Sequence, residues 1–409
     1  MDNNFDSKRK YVMKLVRLMA LGLILGMAVL AVACSGDAAT PTSPATSTSA
    51  APAATAAPTA ATAVPPTATR PPAATRPPVA TAAPTATAAP TATPVPPTAK
   101  ILTFSNDSPH VTVIDAETNL VIKTADMPEF LKWTWNDDNN YFDGQNVWLG
   151  LKYPEADDAV VIALNVDTLE ISSRLPVGKE AANLYIGKAT KSGILHIGKQ
   201  KSGEVVTIDT NSAKVLETWD TVPVNEGVVC DADIGIGADG VERFYYPTQN
   251  GDTVVSINAE TGETITVTDT PEGSKPLMHT NAPDGRMWVQ EVNSNTNAVF
   301  DPVTLELIAR IAAASKPVVA TFSPDGKLAY IGHSGDPVVQ VIDTEAIKEV
   351  TRVTVGSTPT KLAVHPNGDY IYAIASKEAR VYVIATDSWK VTGTIALANN
   401  PGGMFLWED

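Results

Sequence analysis

The chain has 409 residues, more than one ordinary core accommodates, yet few enough for a single closed repeat architecture with tails. Its formal net charge of -15 excludes the basic footprint that nucleic-acid binding requires. Two cysteines, Cys34 and Cys230, exclude a disulfide framework and a cysteine-rich metal cluster, and the five histidines form no short-range ligand pair.

Lys8, Arg9, Lys10, Lys14 and Arg17 make a positive leader, and residues 18–33 are a run of apolar residues and glycine. That run is short for a membrane span but suits a signal-peptide core. It ends Leu30-Ala31-Val32-Ala33-Cys34-Ser35-Gly36, which resembles a bacterial lipobox with Ala31 where Leu is commoner. The resemblance implies cleavage before Cys34, lipidation of that cysteine, and a membrane-anchored, extracytoplasmic protein. Acyl chains contribute about 0.8 kcal/mol per buried methylene, so several chains make a durable anchor. Cleavage removes five basic residues and two acidic ones (Asp2 and Asp6), leaving the mature chain more negative still.

Residues 38–99 are almost wholly Thr, Ala, Pro and Ser, with Arg70 and Arg76 the only charges. Without aromatics and with few large aliphatics, the segment has nothing to offset the entropy of ordering. It reads as a disordered tether from Cys34, extended by its prolines to at most ~3.1 Å per residue.

From Lys100 onward the sequence repeats. An apolar strand ending in Asp or Asn, with Thr or Ser three residues later, recurs at Asp115, Asn165, Asp209, Asn258 and Asp301. Asp343 (with Ala346) and Ala385 (with Ser388) are looser copies. An Asx side chain caps turn backbone, so each copy predicts a hairpin. A second marker lies out of phase: a turn ending in Gly144, Gly193, Gly240, Gly285, Gly326 or Gly368. Each glycine precedes a ring, namely Trp148, His196, Phe244, Trp288, Tyr330 and Tyr372. Each unit is therefore strand A, glycine turn, strand B with its ring, strand C ending in Asp or Asn, hairpin, strand D. Four strands per unit at this period predict an all-β, seven-bladed β-propeller of four-stranded antiparallel blades. The chain enters at Lys100 directly into a B-type strand, and residues 401–407 (Pro-Gly-Gly-Met-Phe-Leu-Trp) read as an A strand with no B after it. The C-terminal strand is thus expected to complete the first blade and leave no open edge.

The repeat G-x-x-P-x-x-(apolar)-A-V-x-P-x-G-x-x-(apolar)-Y, followed by V-x-V-I-D, is clearest from Val355 to Ile384 and from Phe322 to Asp343. It resembles the YVTN seven-bladed propeller family, with weaker copies over residues 100–409. Members and relatives include extracytoplasmic binding proteins, lactonase-like enzymes and propeller domains of redox enzymes, so the resemblance implies a fold and not a reaction. It also implies a ligand side at the tunnel mouth, on the face carrying the D–A and B–C loops. The tether, entering at an A–B position, is expected to leave from the other face.

Candidate residues on that side are His110, Glu226, Asp231, Lys275, His279 and His333. His279 stands where later repeats place Ala320 and Leu362, and a polar ring in an apolar slot needs a partner or a purpose. The two readings are a satisfied core histidine and a ligand contact. His333 falls in Gly-His-Ser-Gly-Asp, which reads as a loop. Cys230 reads as a small buried hydrophobe rather than a reactive thiol. Asp137, Asn139 and Asp143 carry oxygen donors of the kind Ca²⁺ takes, but their spacing departs from the D-x-[DN]-x-[DN]-G loop, so no cofactor is implied. Trp133 and Trp135 share one face of a predicted A strand and suit either core packing or stacking on a flat ligand.

These features favour a non-catalytic, membrane-anchored module that binds a ligand, a polysaccharide or a surface protein. The alternative is a lactonase-like hydrolase with a tunnel-mouth site, with or without a divalent metal. The haem motif C-x-x-C-H is absent, which ranks a redox partner last. Inhibiting lipoprotein signal peptidase should leave an unprocessed, larger precursor on an immunoblot, and normal maturation under that block would refute the anchor.

Overall fold

In the computed structural model, residues 98–105, 109–127, 141–152, 158–179, 183–220, 231–398 and 400–408 are described. Alternating apolar and polar residues produce short strands that pair in chain order. Blade one contains β1 (Ala99–Ser105), β2 (His110–Asp115) and β3 (Leu120–Asp126). Blade two contains β4 (Tyr141–Phe142), β5 (Asn146–Lys152), β6 (Asp158–Asn165) and β7 (Ile171–Lys179). Blade three contains β8 (Leu184–Ala189), β9 (Ile194–Lys199), β10 (Val205–Asp209) and β11 (Lys214–Trp219). Blade four contains β12 (Asp233–Ile236), β13 (Glu242–Thr248), β14 (Thr253–Asn258) and β15 (Thr264–Asp269). Blade five contains β16 (Pro276–Asn281), β17 (Met287–Glu291), β18 (Thr296–Phe300) and β19 (Leu307–Ala312). Blade six contains β20 (Pro317–Phe322), β21 (Leu328–His333), β22 (Val338–Asp343) and β23 (Lys348–Thr354). Blade seven contains β24 (Lys361–Val364), β25 (Tyr370–Ala375), β26 (Arg380–Ala385) and β27 (Lys390–Ala396). The last strand, β28 (Pro401–Glu408), returns to blade one in the order β28-β1-β2-β3. The fold is the seven-bladed, all-antiparallel propeller that the repeat predicts, closed by its C-terminal strand.

The described residues all belong to a unit spanning Ala89–Asp409. Its hydrophobic core is divided among the seams between blades. Tyr372, Ile374 and Val383 of blade seven meet Ala99, Ile101 and Ile114 of blade one, and comparable clusters join each other consecutive pair. Strand alternation explains this: in β17, Met287 and Val289 face blade four while Trp288 faces blade six. The rings that follow the glycine turns are all buried in these seams.

The Asp/Asn marker caps its hairpin as its chemistry suggests. Asp301 Oδ1 accepts from the Val303 and Thr304 amides, both at 2.8 Å, and Asp343 Oδ1 does the same for Glu345 and Ala346. Four residues after the marker, every C–D hairpin turns through positive φ: Asn119, Leu169, Ala213, Gly262, Leu305, Ile347 and Trp389. Six of those seven are not glycine, and a β-branched residue such as Ile347 is strained there. The Asx cap, together with the bulge that follows in strand D, offsets that strain.

Closure rests on a ladder from Ala99↔Glu408 to Phe104↔Gly403. Gly403 is required by proximity: a Cβ there would lie 1.9 Å from the Phe104 ring. Gly403→Ala should cost about 1–3 kcal/mol of stability through overpacking, measured by thermal or urea melts, with partial recovery in Gly403→Ala/Phe104→Leu. Deleting residues 401–409 should lower Tm severely, and a near-unchanged melt would refute the clasp.

Candidate functional site

The inner strands line the tunnel, and those of blades three to five carry a polar row. Its centre is Asp233, a fully buried carboxylate at the start of β12. Asp233 Oδ1 accepts from the backbone amides of Lys188 and Ile234, both at 2.8 Å. Oδ2 accepts from Asn281 Nδ2 at 3.3 Å and lies 3.5 Å from Lys188 Nζ. One carboxylate therefore ties together β8, β12 and β16. The approach needs Gly187, because a Cβ there would sit 2.4 Å from the Ala232 carbonyl oxygen. Burying a charge is costly unless it is paired and hydrogen-bonded, and here four donor groups share that duty. The Lys188 side chain stays 55% exposed, so its ammonium is anchored yet available.

Lys188 and Asn281 of this row line a cavity of about 580 Å³ at the end of the tunnel nearest the A–B turns, which is the face opposite the D–A and B–C loops where the ligand side was expected. Lys188, Lys191, Glu242, Thr280, Asn281 and Thr321 contribute polar groups, and Ile234, Ala320 and Phe322 contribute apolar surface. Thr280 Oγ1 donates to the Ala320 carbonyl at 3.0 Å, which joins the row to blade six. Asn281 Oδ1 is buried against Gly235 with no hydrogen-bond partner among the described residues, so the polar group this wall offers a solute is the Lys188 ammonium. A larger groove, about 790 Å³, runs between blades three and four past Trp219, Glu217, Glu242 and Glu260. Several of its polar groups are satisfied locally: Trp219 Nε1 donates to Glu217, and Thr190 bonds Ser192. The tunnel cavity is the better candidate because the Lys188 ammonium, anchored by Asp233 and still half exposed, lines it.

The structure brings two of the sequence-derived candidates together. His279 is fully buried in β16, its Nδ1 3.1 Å from the Asp231 carbonyl oxygen, and its backbone amide donates to the Asp231 carboxylate at 3.3 Å. The ring therefore leans on the backbone of Asp231 behind the tunnel wall, and burial lowers its pKa. Lys275 sits nearby in the D–A connection at φ 52°, where its amide donates to Asp252 Oδ1 at 2.8 Å. His110 lies far off in sequence and blade, pairing with Asp126 across β2 and β3. His333 corrects an expectation: despite its glycine-flanked context it is not in a loop but closes β21, fully buried. It shares a face with Ile331, two residues earlier, and that alternation turns its ring into a seam. Glu226, Cys230, Cys34, Trp133, Trp135, Asp137 and Asn139 lie outside the described residues. Asp143 spends its carboxylate on its own turn, accepting from Gln145, Asn146 and the Trp148 indole.

Lys188, Asp233 and Asn281 escape sequence reasoning. The available signal is Asp233, a charged residue that the ladders match with Thr280 and Thr321 in later blades.

No family model matches the chain, and no curated protein sequence matches it. Solved structures do. The periplasmic gluconolactonase of Pseudomonas aeruginosa is 16% identical, with a TM-score of 0.60, over 76% of this chain and 99% of that one. A Bacteroides fragilis protein provisionally assigned as a 6-phosphogluconolactonase is 14% identical, with a TM-score of 0.60, over 76% and 98%. A Lactobacillus plantarum protein is 11% identical, with a TM-score of 0.62, over 76% and 100%. At these identities the likeness establishes the propeller fold.

His196 and His333 make stability depend on pH. Burial pushes both rings down to about 4, from 6.5 when free, against hydrogen bonds that favour the charged form. Between pH 6.5 and 4 the unfolded chain therefore binds more protons than the folded one. Stability should be full above that window and fall through it as pH drops, by about 3 kcal/mol per ring. Urea melts across this range should show the fall, to which the buried His279 also contributes, and His196→Phe should remove that one ring's share of it.

Proposed function

We propose that the chain is a lipid-anchored, extracytoplasmic binding protein whose propeller takes a hydroxylated ligand, a segment of polysaccharide, in the tunnel cavity. The observation that carries this reading is the Lys188–Asp233–Asn281 row. It presents a half-exposed Lys188 ammonium, held in place by the buried Asp233 carboxylate that Asn281 also braces, at a cavity that Thr280 and Thr321 also line. Sugar hydroxyl oxygens accept hydrogen bonds, and so answer that ammonium. Ile234 and Phe322 offer apolar surface for ring faces. The cavity volume lies within the roughly 300–1,000 Å³ typical of small-ligand sites. Anchoring through Cys34 and the spacer at residues 38–99 suit a protein that samples surface polymers.

The test is titration of the full chain with a panel of oligosaccharides by calorimetry. Lys188→Ala and Asn281→Ala should each weaken binding about tenfold or more, on the order of 1.4 kcal/mol. Binding that is indifferent to both substitutions would refute the site.

A second reading comes from the similarity to the gluconolactonase along 99% of that protein. It requires ring opening of a sugar lactone at the same cavity. Turnover of glucono-δ-lactone above the spontaneous rate, lost in Lys188→Ala, would replace the binding reading with the hydrolytic one.

A further inference from the structure

The seams between blades are apolar for most of their depth, and the seam between blades five and six departs from that rule. Gln290 in β17 and Asn297 in β18 are directly opposed across the ladder, so their side chains share one face. That face looks toward blade six, because Asn297 Nδ2 reaches Gln340 Oε1 in β22 at 3.4 Å. Gln340 in turn lies opposite Ile331 in β21, and His333, two residues beyond Ile331, points the same way. Four uncharged polar side chains therefore converge from two blades, and all four are fully buried.

Their hydrogen bonds leave a defined remainder. Gln340 Nε2 donates to the Ala312 carbonyl at 2.9 Å and to Glu349 Oε2 at 2.6 Å, so its amide orientation is set. That leaves Oε1 to accept from Asn297. His333 Nδ1 lies 3.1 Å from the Val338 carbonyl oxygen and must carry the proton, so Nε2 is an acceptor. Four buried atoms then have no partner among the described residues: Gln290 Oε1, Gln290 Nε2, Asn297 Oδ1 and His333 Nε2. Exchanging the oxygen and nitrogen of Gln290 does not help, since both ends are open. The other face of blade five shows the contrast. Glu291, next to Gln290, is satisfied there by Arg310 Nε at 3.0 Å and Thr296 Oγ1 at 2.6 Å.

We infer that the seam between blades five and six is a built site for structural water, held by Gln290, Asn297 and His333. The chemistry selects the guest. The remainder is one amide donor group and three acceptors, and a water molecule can accept and also donate twice. One water accepts from Gln290 Nε2 and donates to two of the acceptors; a second, bonded to the first, serves the third. Leaving a buried polar group unmet is costly, and internal waters typically make about three such bonds. A monovalent cation would satisfy the acceptors but would oppose the amide donor.

The test is a high-resolution crystal structure of the full chain, with ¹⁷O relaxation dispersion to count long-lived waters. Ordered density at about 2.7–3.2 Å from Gln290, Asn297 and His333 should refine as water. Gln290→Leu should lower the long-lived count by at least one. Direct pairing of Gln290 with Asn297 or His333 without intervening density would overturn it, as would an anomalous cation signal or an unchanged count in Gln290→Leu. If Gln290→Leu does not fold, the density in the unsubstituted chain decides alone.

Discussion

Everything in this structure depends on sheet packing against sheet around a closed ring. A four-stranded blade has two apolar faces and cannot cover either by itself. Each face is buried only against the next blade, so the core is a set of seams, each drawing residues from two blades. Such a ring has no terminal face to protect, provided that the last blade meets the first. Blade seven meets blade one through Tyr372, Ile374 and Val383 against Ala99 and Ile101. Hydrogen bonding reinforces that join: the Tyr372 hydroxyl donates to the Ala116 carbonyl at 2.8 Å.

The demand for closure explains features that look local. The C-terminal strand is given to blade one so that the chain ends interlock rather than abut. The C–D hairpins tolerate leucine, isoleucine and tryptophan at positive φ because those side chains pack into the structure that strains them. Leu305 is the plain case: it is fully buried among Tyr245, Met287 and Phe300. Glycine would relax its backbone but would open a hole in the seam.

Polar groups inside this architecture sort by what the ring does to them. Near the tunnel, Asp233 is buried but ringed by donors from three strands, and the Lys188 ammonium that it anchors remains reachable. In the seam between blades five and six, Gln290, Asn297 and His333 are buried without such company among the described residues. His196 lies between these cases, stacked on Phe244 with one nitrogen on the Ala259 carbonyl. Position relative to the tunnel thus separates groups that can meet a solute from groups that hold blades together.

The sequence by itself determined the number of blades, the strand order and the closure, because each is encoded by local chemistry repeated at a fixed period. Asp301 and Asp343 announce hairpins through their own side chains, and glycines such as Gly285 announce turns through positive φ. Only the tertiary structure decided which polar residues meet. Lys188, Asp233 and Asn281 come from three different blades, about one repeat apart, and nothing local records that their strands lie side by side at the tunnel. His333 shows the same limit at shorter range. Its Gly-His-Ser-Gly-Asp context reads as a loop, yet strand alternation carries its ring into a seam whose other wall belongs to the preceding blade. Turns are properties of neighbours in the chain; sites in a propeller are properties of neighbours around the ring.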